Sequence, residues 1–227
     1  RFHKQKIMLH RASMRRYIEE VLWPADIKVD YISLDGLMTS QDIFERVKKF
    51  EQLYIFDPVD ETLTKRLLEA RRADTSVAAF EFLANPGFYL KNHEIQSHFA
   101  GKSSHKFDEF YQWQRERFNI LIDENYKPVG GKWMIESAKL KKGTEQQLTP
   151  PTFEAFGDNQ YIEDAAKYVM DHFVDNPGGT DFVWPTNHKE AASWLKDFVD
   201  NRIDGFADNQ ETIDSKAIWL YHSALSS

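Results

Sequence analysis

No cysteine occurs anywhere in the 227 residues. That absence removes disulfides, zinc ribbons and thiol nucleophiles together, and with them any sign of an oxidising compartment. No apolar run approaches the roughly 18 residues that a membrane-spanning helix needs, and no basic-then-apolar leader opens the chain. A cytoplasmic setting without membrane contact is the expectation. Basic charge is also short: 29 Lys and Arg stand against 36 Asp and Glu, for a formal net charge of −7. A coat for nucleic acid is disfavoured, because phosphate binding is driven by counterion release from a basic face.

What is present suffices for one large or two small domains, with 41% apolar and 14% aromatic residues able to bury a core. The charge is uneven. Residues 158–214 hold 13 acidic against 4 basic residues, whereas 1–157 hold 23 against 24. The first residue is Arg1, and Ser227 falls in a stretch that still reads as helical and apolar, so the chain is expected to be a fragment.

Hydrophobic spacing gives the coarse order of elements. Ile7, Met14, Ile18 and Val21 recur at helical spacing over 4–22, closed by Pro24. Residues 27–33 alternate, which predicts a strand. Ser40 marks a capped helix starting near Gln41, and the continuous run Leu53-Tyr54-Ile55-Phe56 predicts a parallel strand covered on both faces. Asp60 or Thr62 can cap a helix through Ala73, and residues 77–82 predict another strand. Strand alternating with helix indicates an α/β fold with a doubly wound parallel sheet. Helices follow at 92–99 and 107–121, then an irregular stretch over 125–152 with Gly130-Gly131 and Pro150-Pro151, then helices at 159–173, 189–203 and 215–227. The last part is all-helical.

Several local patterns have a functional and a plain reading. Gly101-Lys102-Ser103 has Gln96 where a phosphate loop needs glycine, so nucleotide hydrolysis is disfavoured. His93 and His98 diverge around a helix, which disfavours a zinc pair with Glu94. The basic stretch Arg1, His3, Lys4, Lys6, His10, Arg11, Arg15 and Arg16 reads as an anion site or, more simply, a solvated helix face. Asp57, Asp60 and Glu61 follow a strand end, where α/β sheets form their ligand crevice, yet such acids commonly cap the next helix. Trp133, Trp184, Trp194 and Trp219 suggest core packing or, in a flavoprotein, an electron path.

Five segments, taken in order, carry a resemblance. His3-Lys4-Gln5-Lys6-Ile7 with Ser13-Met14-Arg15-Arg16-Tyr17, Gly130-Gly131-Lys132-Trp133, Trp184-Pro185-Thr186, Phe206-Ala207-Asp208-Asn209-Gln210 and Leu220-Tyr221-His222-Ser223-Ala224-Leu225-Ser226 are similar to landmarks of the bacterial deoxyribodipyrimidine photolyase-related family, the iron–sulfur bacterial cryptochromes and (6-4) photolyases. The resemblance implies a Rossmann-like antenna domain (1–124), a linker (125–152) and the start of a helical FAD-binding domain (153–227). It implies FAD, 6,7-dimethyl-8-ribityllumazine and a 4Fe-4S cluster for the intact protein, with the cluster's cysteines beyond Ser227. His222, Ser223, Leu225 and Ser226 would contact FAD phosphates, and Lys4 and Ile7 would line the antenna pigment. Neither catalytic nor metal-binding residues are expected within this chain. The implied activity is light-driven repair of pyrimidine (6-4) or cyclobutane lesions in damaged DNA by a monomer, absent from this fragment alone. The chain departs from the family after Trp133, reading Met134-Ile135-Glu136-Ser137-Ala138-Lys139-Leu140 where an Asn and an Arg are usual. A photosensor without repair activity, or a stand-alone nucleotide-binding or interaction module, are the rival readings.

Overall fold

A computed structural model describes residues 1–33, 39–74, 76, 79–134, 156, 159–209 and 221–223. The chain divides into two compact units, Asp30–Ile120 and a second made of Arg1–Val29 with Leu121–Ser227.

The unit Asp30–Ile120 is built on one β-α-β crossover. Strand β1 (Leu53–Phe56) pairs in parallel with β2 (Phe80–Leu83), Leu53 opposite Phe80 and Phe56 opposite Leu83. Helix α3 (Glu61–Ala73) makes the return, with the Asp60 carboxylate accepting from the Leu63 N–H at 2.7 Å. Asp60 is therefore a cap, the plainer of its two readings. Helix α2 (Ser40–Val47) starts at a capping box between Thr39 and Asp42, one residue ahead of the expected Ser40 cap, because Asp42 can reach back to the Thr39 N–H (2.7 Å).

Phe44 of α2 and Leu67 of α3 are buried against Leu53, Ile55, Phe80 and Phe82. Alternate residues of a strand share a face, so Tyr54 and Phe56 point the other way and are 62% and 58% exposed. Among the described residues only one face of β1 is covered, where two are expected. A four-residue run that is wholly apolar conceals a period of two. Helices α4 (Asn92–Phe99) and α5 (Phe107–Phe118) complete the unit, and α5 stops where Asn119 turns left-handed at φ +53°.

The expected strand at 27–33 does not form. Asp26 sits at φ +56°, and the Ile27 N–H closes back onto the Leu22 carbonyl at 3.0 Å. The segment pairs with neither strand, and Ile27 is half exposed. Alternation yields a strand only where a ladder partner is within reach. The described sheet is thus a parallel pair, which makes the fold mixed α/β.

In the other unit, α1 (Lys4–Tyr17) runs on into a π-helical turn, Ile18–Leu22. It packs on α6 (Gln160–His172) through Met8 and Ala12 against Ile162, Ala165, Val169 and Phe182, all buried. The alanines let the two backbones approach, and truncating Met8 here would cost about 2–5 kcal/mol. The buried stripe is Met8–Ala12–Ile18, whereas Met14, expected on it, is 53% exposed. Helices α7 (His188–Asn201) and α8 (Ile203–Asn209) follow. The expected helix 215–227 lies outside the described residues except for 221–223, which are not helical.

The α1–α6 contact joins the basic and acidic parts of the chain. Arg11 pairs with Asp164 at 2.8 Å and lies 3.9 Å over the Tyr168 ring, and Arg15 stands 4.0 Å from the same carboxylate. Basic α1 thus meets the acidic last third at Asp164 and, through Arg16, at Glu190. Among the described residues no helix is long and apolar enough to cross a membrane.

Candidate functional site

A polar cluster among the described residues centres on Arg16. Its guanidinium donates to Thr186 Oγ1 (2.7 Å), Glu190 (2.5 Å) and Glu20 (2.6 Å). Glu190 is the third residue of α7, and it accepts from the Thr186 N–H at 2.8 Å while Asn187 caps the helix. Thr186 is 2% exposed, so its hydroxyl and N–H must be satisfied internally, and both are. Burial works against the Arg16 charge, but hydrogen bonds to Glu20 and Glu190 outweigh it and hold the guanidinium above its ordinary value. The Glu20 carboxyl is held low, first by Arg16 and then, against burial, by Asn187. Between the π-helical turn and the start of α7 lies a hollow of about 580 Å³ bordered by Met14, Tyr17, Val21, Pro185 and His188.

The same frame leads to the end of the chain. Two residues before Thr186, Trp184 stacks on Trp194 of α7 at 5.6 Å and 19°. Phe156 also stacks on Trp194, at 5.9 Å and 27°. The Trp194 indole N–H donates to the Ser223 carbonyl at 2.7 Å. His222, one residue earlier, meets the edge of Phe206. Both residues are half-buried.

A second concavity, about 720 Å³, opens at the carboxyl ends of β1 and β2. Phe82, Leu83, Phe88, Ile95 and Phe110 form its apolar walls. Asp57 supplies its polar edge, accepting from Val59 N–H (2.9 Å) and Asn92 Nδ2 (2.6 Å), while Asn85 Nδ2 donates to the Asp57 carbonyl (2.8 Å). Parallel sheets take ligands at this end, so Asp57 lies where the crevice reading put it, apart from the cap Asp60.

Of the other residues marked in the sequence, Lys4 opens α1 with its N–H on the Pro177 carbonyl (2.9 Å), and Ile7 packs beside the α1–α6 core. Leu225 and Ser226 lie outside the described residues, as does Trp219. Gly130 and Gly131 take consecutive positive φ values of +83° and +77°, which explains why this element of the chain is a glycine pair. His98 stacks on Trp113 at 3.8 Å, Glu94 pairs with Arg117 at 2.5 Å and Lys102 reaches Glu109 at 3.6 Å. Among the described residues no three His, Asp or Glu side chains gather as metal ligands. Sequence reading missed the Arg16–Glu190 pair, the Trp194–Ser223 bond and the two asparagines of the crevice. Arg16, Thr186 and Ser223 stand in segments singled out in the sequence, but Glu190, Asn85 and Asn92 carry no local signal, because these contacts join positions far apart in the chain.

A parallel β-α-β crossover and a helical unit whose basic first helix is clasped to Trp184-Pro185-Thr186 mark a two-part α/β and α-helical protein of the photolyase-related kind. The chain belongs to the family described as deoxyribodipyrimidine photo-lyase-related protein, whose profile matches residues 1–184. It is 34% identical over 143 residues to an uncharacterized protein of Acanthamoeba polyphaga mimivirus, covering 60% of this chain and 70% of that one. It is 23% identical over 237 residues to a (6-4) photolyase of Agrobacterium fabrum, covering 99% of this chain and 45% of that protein.

Proposed function

We propose that the protein acts in light-dependent, FAD-dependent DNA repair of the photolyase type, with pyrimidine (6-4) photoproducts in DNA as substrate. The observation that carries this reading is the family match over residues 1–184, extended by the alignment of a (6-4) photolyase along 99% of the chain. In this reading the parallel pair β1–β2 belongs to a Rossmann-like, doubly wound antenna domain (1–124), residues 125–152 are the linker and 153–227 begin the flavin-binding part. Helix α1, first in the chain, is packed on α6 of that later part.

His222, Ser223, Leu225 and Ser226 are assigned to the FAD phosphates. Hydroxyls, an imidazole and main-chain N–H groups form the donor set that suits a diphosphate, and Ser223 is tethered by its carbonyl to a buried indole. Reduced FAD, when bound, supplies the photoexcited electron that splits the lesion. This chain's part is to hold the cofactor's phosphates and to seat the antenna pigment, 6,7-dimethyl-8-ribityllumazine, near Lys4 and Ile7, while the lesion is read flipped out of the duplex. A 4Fe-4S cluster would be held by cysteines outside this chain. A cytoplasmic monomer fits the reading.

The departure at Met134–Leu140, where the family's Asn and Arg are replaced, favours one alternative, a blue-light receptor without repair activity. The test is an absorption spectrum of the protein expressed from its own gene, followed by illumination with an oligonucleotide bearing a (6-4) photoproduct. A flavin band with light-dependent loss of the lesion is expected. A flavin band without lesion loss would favour the receptor, and no flavin would overturn both.

A further inference from the structure

We propose that Trp194 is a positioning residue for the flavin-phosphate contacts at His222 and Ser223, setting through its indole N–H the orientation of Ser223; the inference rests on the assignment of these two residues to the FAD phosphates. Trp194 is 6% exposed. Its ring is stacked near-parallel on both Trp184 and Phe156, at 5.6 and 5.9 Å. A buried ring stacked on two aromatic neighbours has little freedom to tilt, so the direction of its N–H is held as well. That N–H donates across 29 positions of sequence to the Ser223 carbonyl at 2.7 Å.

A tryptophan serving only to fill a core can satisfy its donor on any nearby carbonyl. Here the acceptor is the main chain of a residue outside the described helices, one whose own hydroxyl is a proposed phosphate contact. The neighbouring His222 is steered in parallel, since Phe206 meets its ring edge-on and is itself edge-on to Phe198 of α7. The clamp has a foundation. Trp184 lies in the same short stretch as Thr186, which Arg16 and Glu190 hold by hydrogen bonds of 2.7 and 3.2 Å. Arg16 stands on α1, so the first helix of the chain sets the indole that orients the last described residues.

Trp194→Phe keeps the stacked ring and deletes the donor. In the protein expressed from its own gene, stripped of flavin and titrated with FAD, the variant is expected to bind about fivefold to tenfold more weakly, the scale of one lost hydrogen bond. The flavin-free variant should melt close to the parent, and the vibronic structure of the bound flavin's absorption band should broaden. Trp184→Leu, which loosens the clamp but keeps the N–H, should weaken FAD in the same direction by less. A Trp194→Phe protein that melts lower yet binds FAD with parental affinity would reduce Trp194 to core packing and overturn the proposal, while leaving the flavin assignment standing. A parent protein that takes up no FAD would instead remove the assignment itself. If Trp194→Phe does not fold, the parental indole N–H resonance, assigned through its contacts with Phe156 and Trp184, decides: it should be slow to exchange and move on FAD addition, and a fast-exchanging, unmoved resonance overturns the proposal.

Discussion

The His3 ring lies against Gly178 so closely that a Cβ built on the glycine would come within 1.9 Å of His3 Nε2. Gly178 also holds φ at +87°. Around this contact the loop 175–181 grips the start of α1, through Asn176 Nδ2 to the Phe2 carbonyl (2.8 Å), Arg1 to the Asp175 carbonyl (3.0 Å) and Gln5 to the Asp181 carbonyl.

Gly178→Ala should therefore destabilise the helical unit by about 3 kcal/mol, combining overpacking with the left-handed backbone. Adding His3→Ala should remove the steric part and leave about 1 kcal/mol. Urea unfolding of the single and double variants measures both.

Arg16→Gln should cost about 2–3 kcal/mol, because the partly buried Glu190 loses its cation and the buried Thr186 hydroxyl loses its donor. Arg16→Lys should recover less than half, since one ammonium cannot serve Thr186, Glu190 and Glu20 in the geometry of a guanidinium fork. Chemical denaturation compares the three proteins.

The acid limb of stability is set by carboxylates held low in the folded chain. Asp74 is drawn from 3.8 to about 2, first by Lys48 and then by the Ser76 hydroxyl and N–H. Glu20 is likewise lowered, chiefly by Arg16. A folded value below the unfolded one means stability is complete above the ordinary carboxylate range and is lost as pH falls through the folded value. Unfolding midpoints should fall as pH drops from about 4 towards 2, and Asp74→Asn should flatten that slope. Salt should weaken the Asp74 contribution, because the Lys48 pair is exposed to solvent.

Asp57→Ala should loosen the strand-end crevice without unfolding the sheet. It removes the acceptor of the Val59 N–H and of Asn92 Nδ2, so amide exchange at Val59 should quicken by about tenfold. Unchanged exchange would mean that the turn does not depend on this carboxylate.

Much of the local structure was legible because the signals were local. The run 53–56 is strand β1, residues 92–99 are α4, and Asp60 caps α3 as its spacing from Leu63 allows. The face of α1 is legible in part. Of Ile7, Met14, Ile18 and Val21, Ile18 is buried and Ile7 packs beside the core, but Met14 is exposed, because the small Ala12 permits a close approach of α6 and the core line runs through Met8 and Ala12. The strand expected over 27–33 failed because pairing depends on a neighbour, which no local pattern encodes. The candidate site was legible only as separate words. Arg16 and Thr186 are 170 positions apart, and nothing in either segment states that they meet; Trp194 read as packing, while its donor and acceptor are defined only by the fold.

The half-clothed sheet has a practical outcome. A parallel pair of four-residue strands is too short to persist unaided, so it depends on Phe44 and Leu67 pressing from one side. Among the described residues no third strand pairs with β1 or β2, and the exposed Tyr54 and Phe56 rings beside such a pair offer a template onto which strands of other molecules can add. In concentrated, warmed solution this is the patch from which clouding should begin, and a charged residue at position 54 is the simplest way to keep the protein clear.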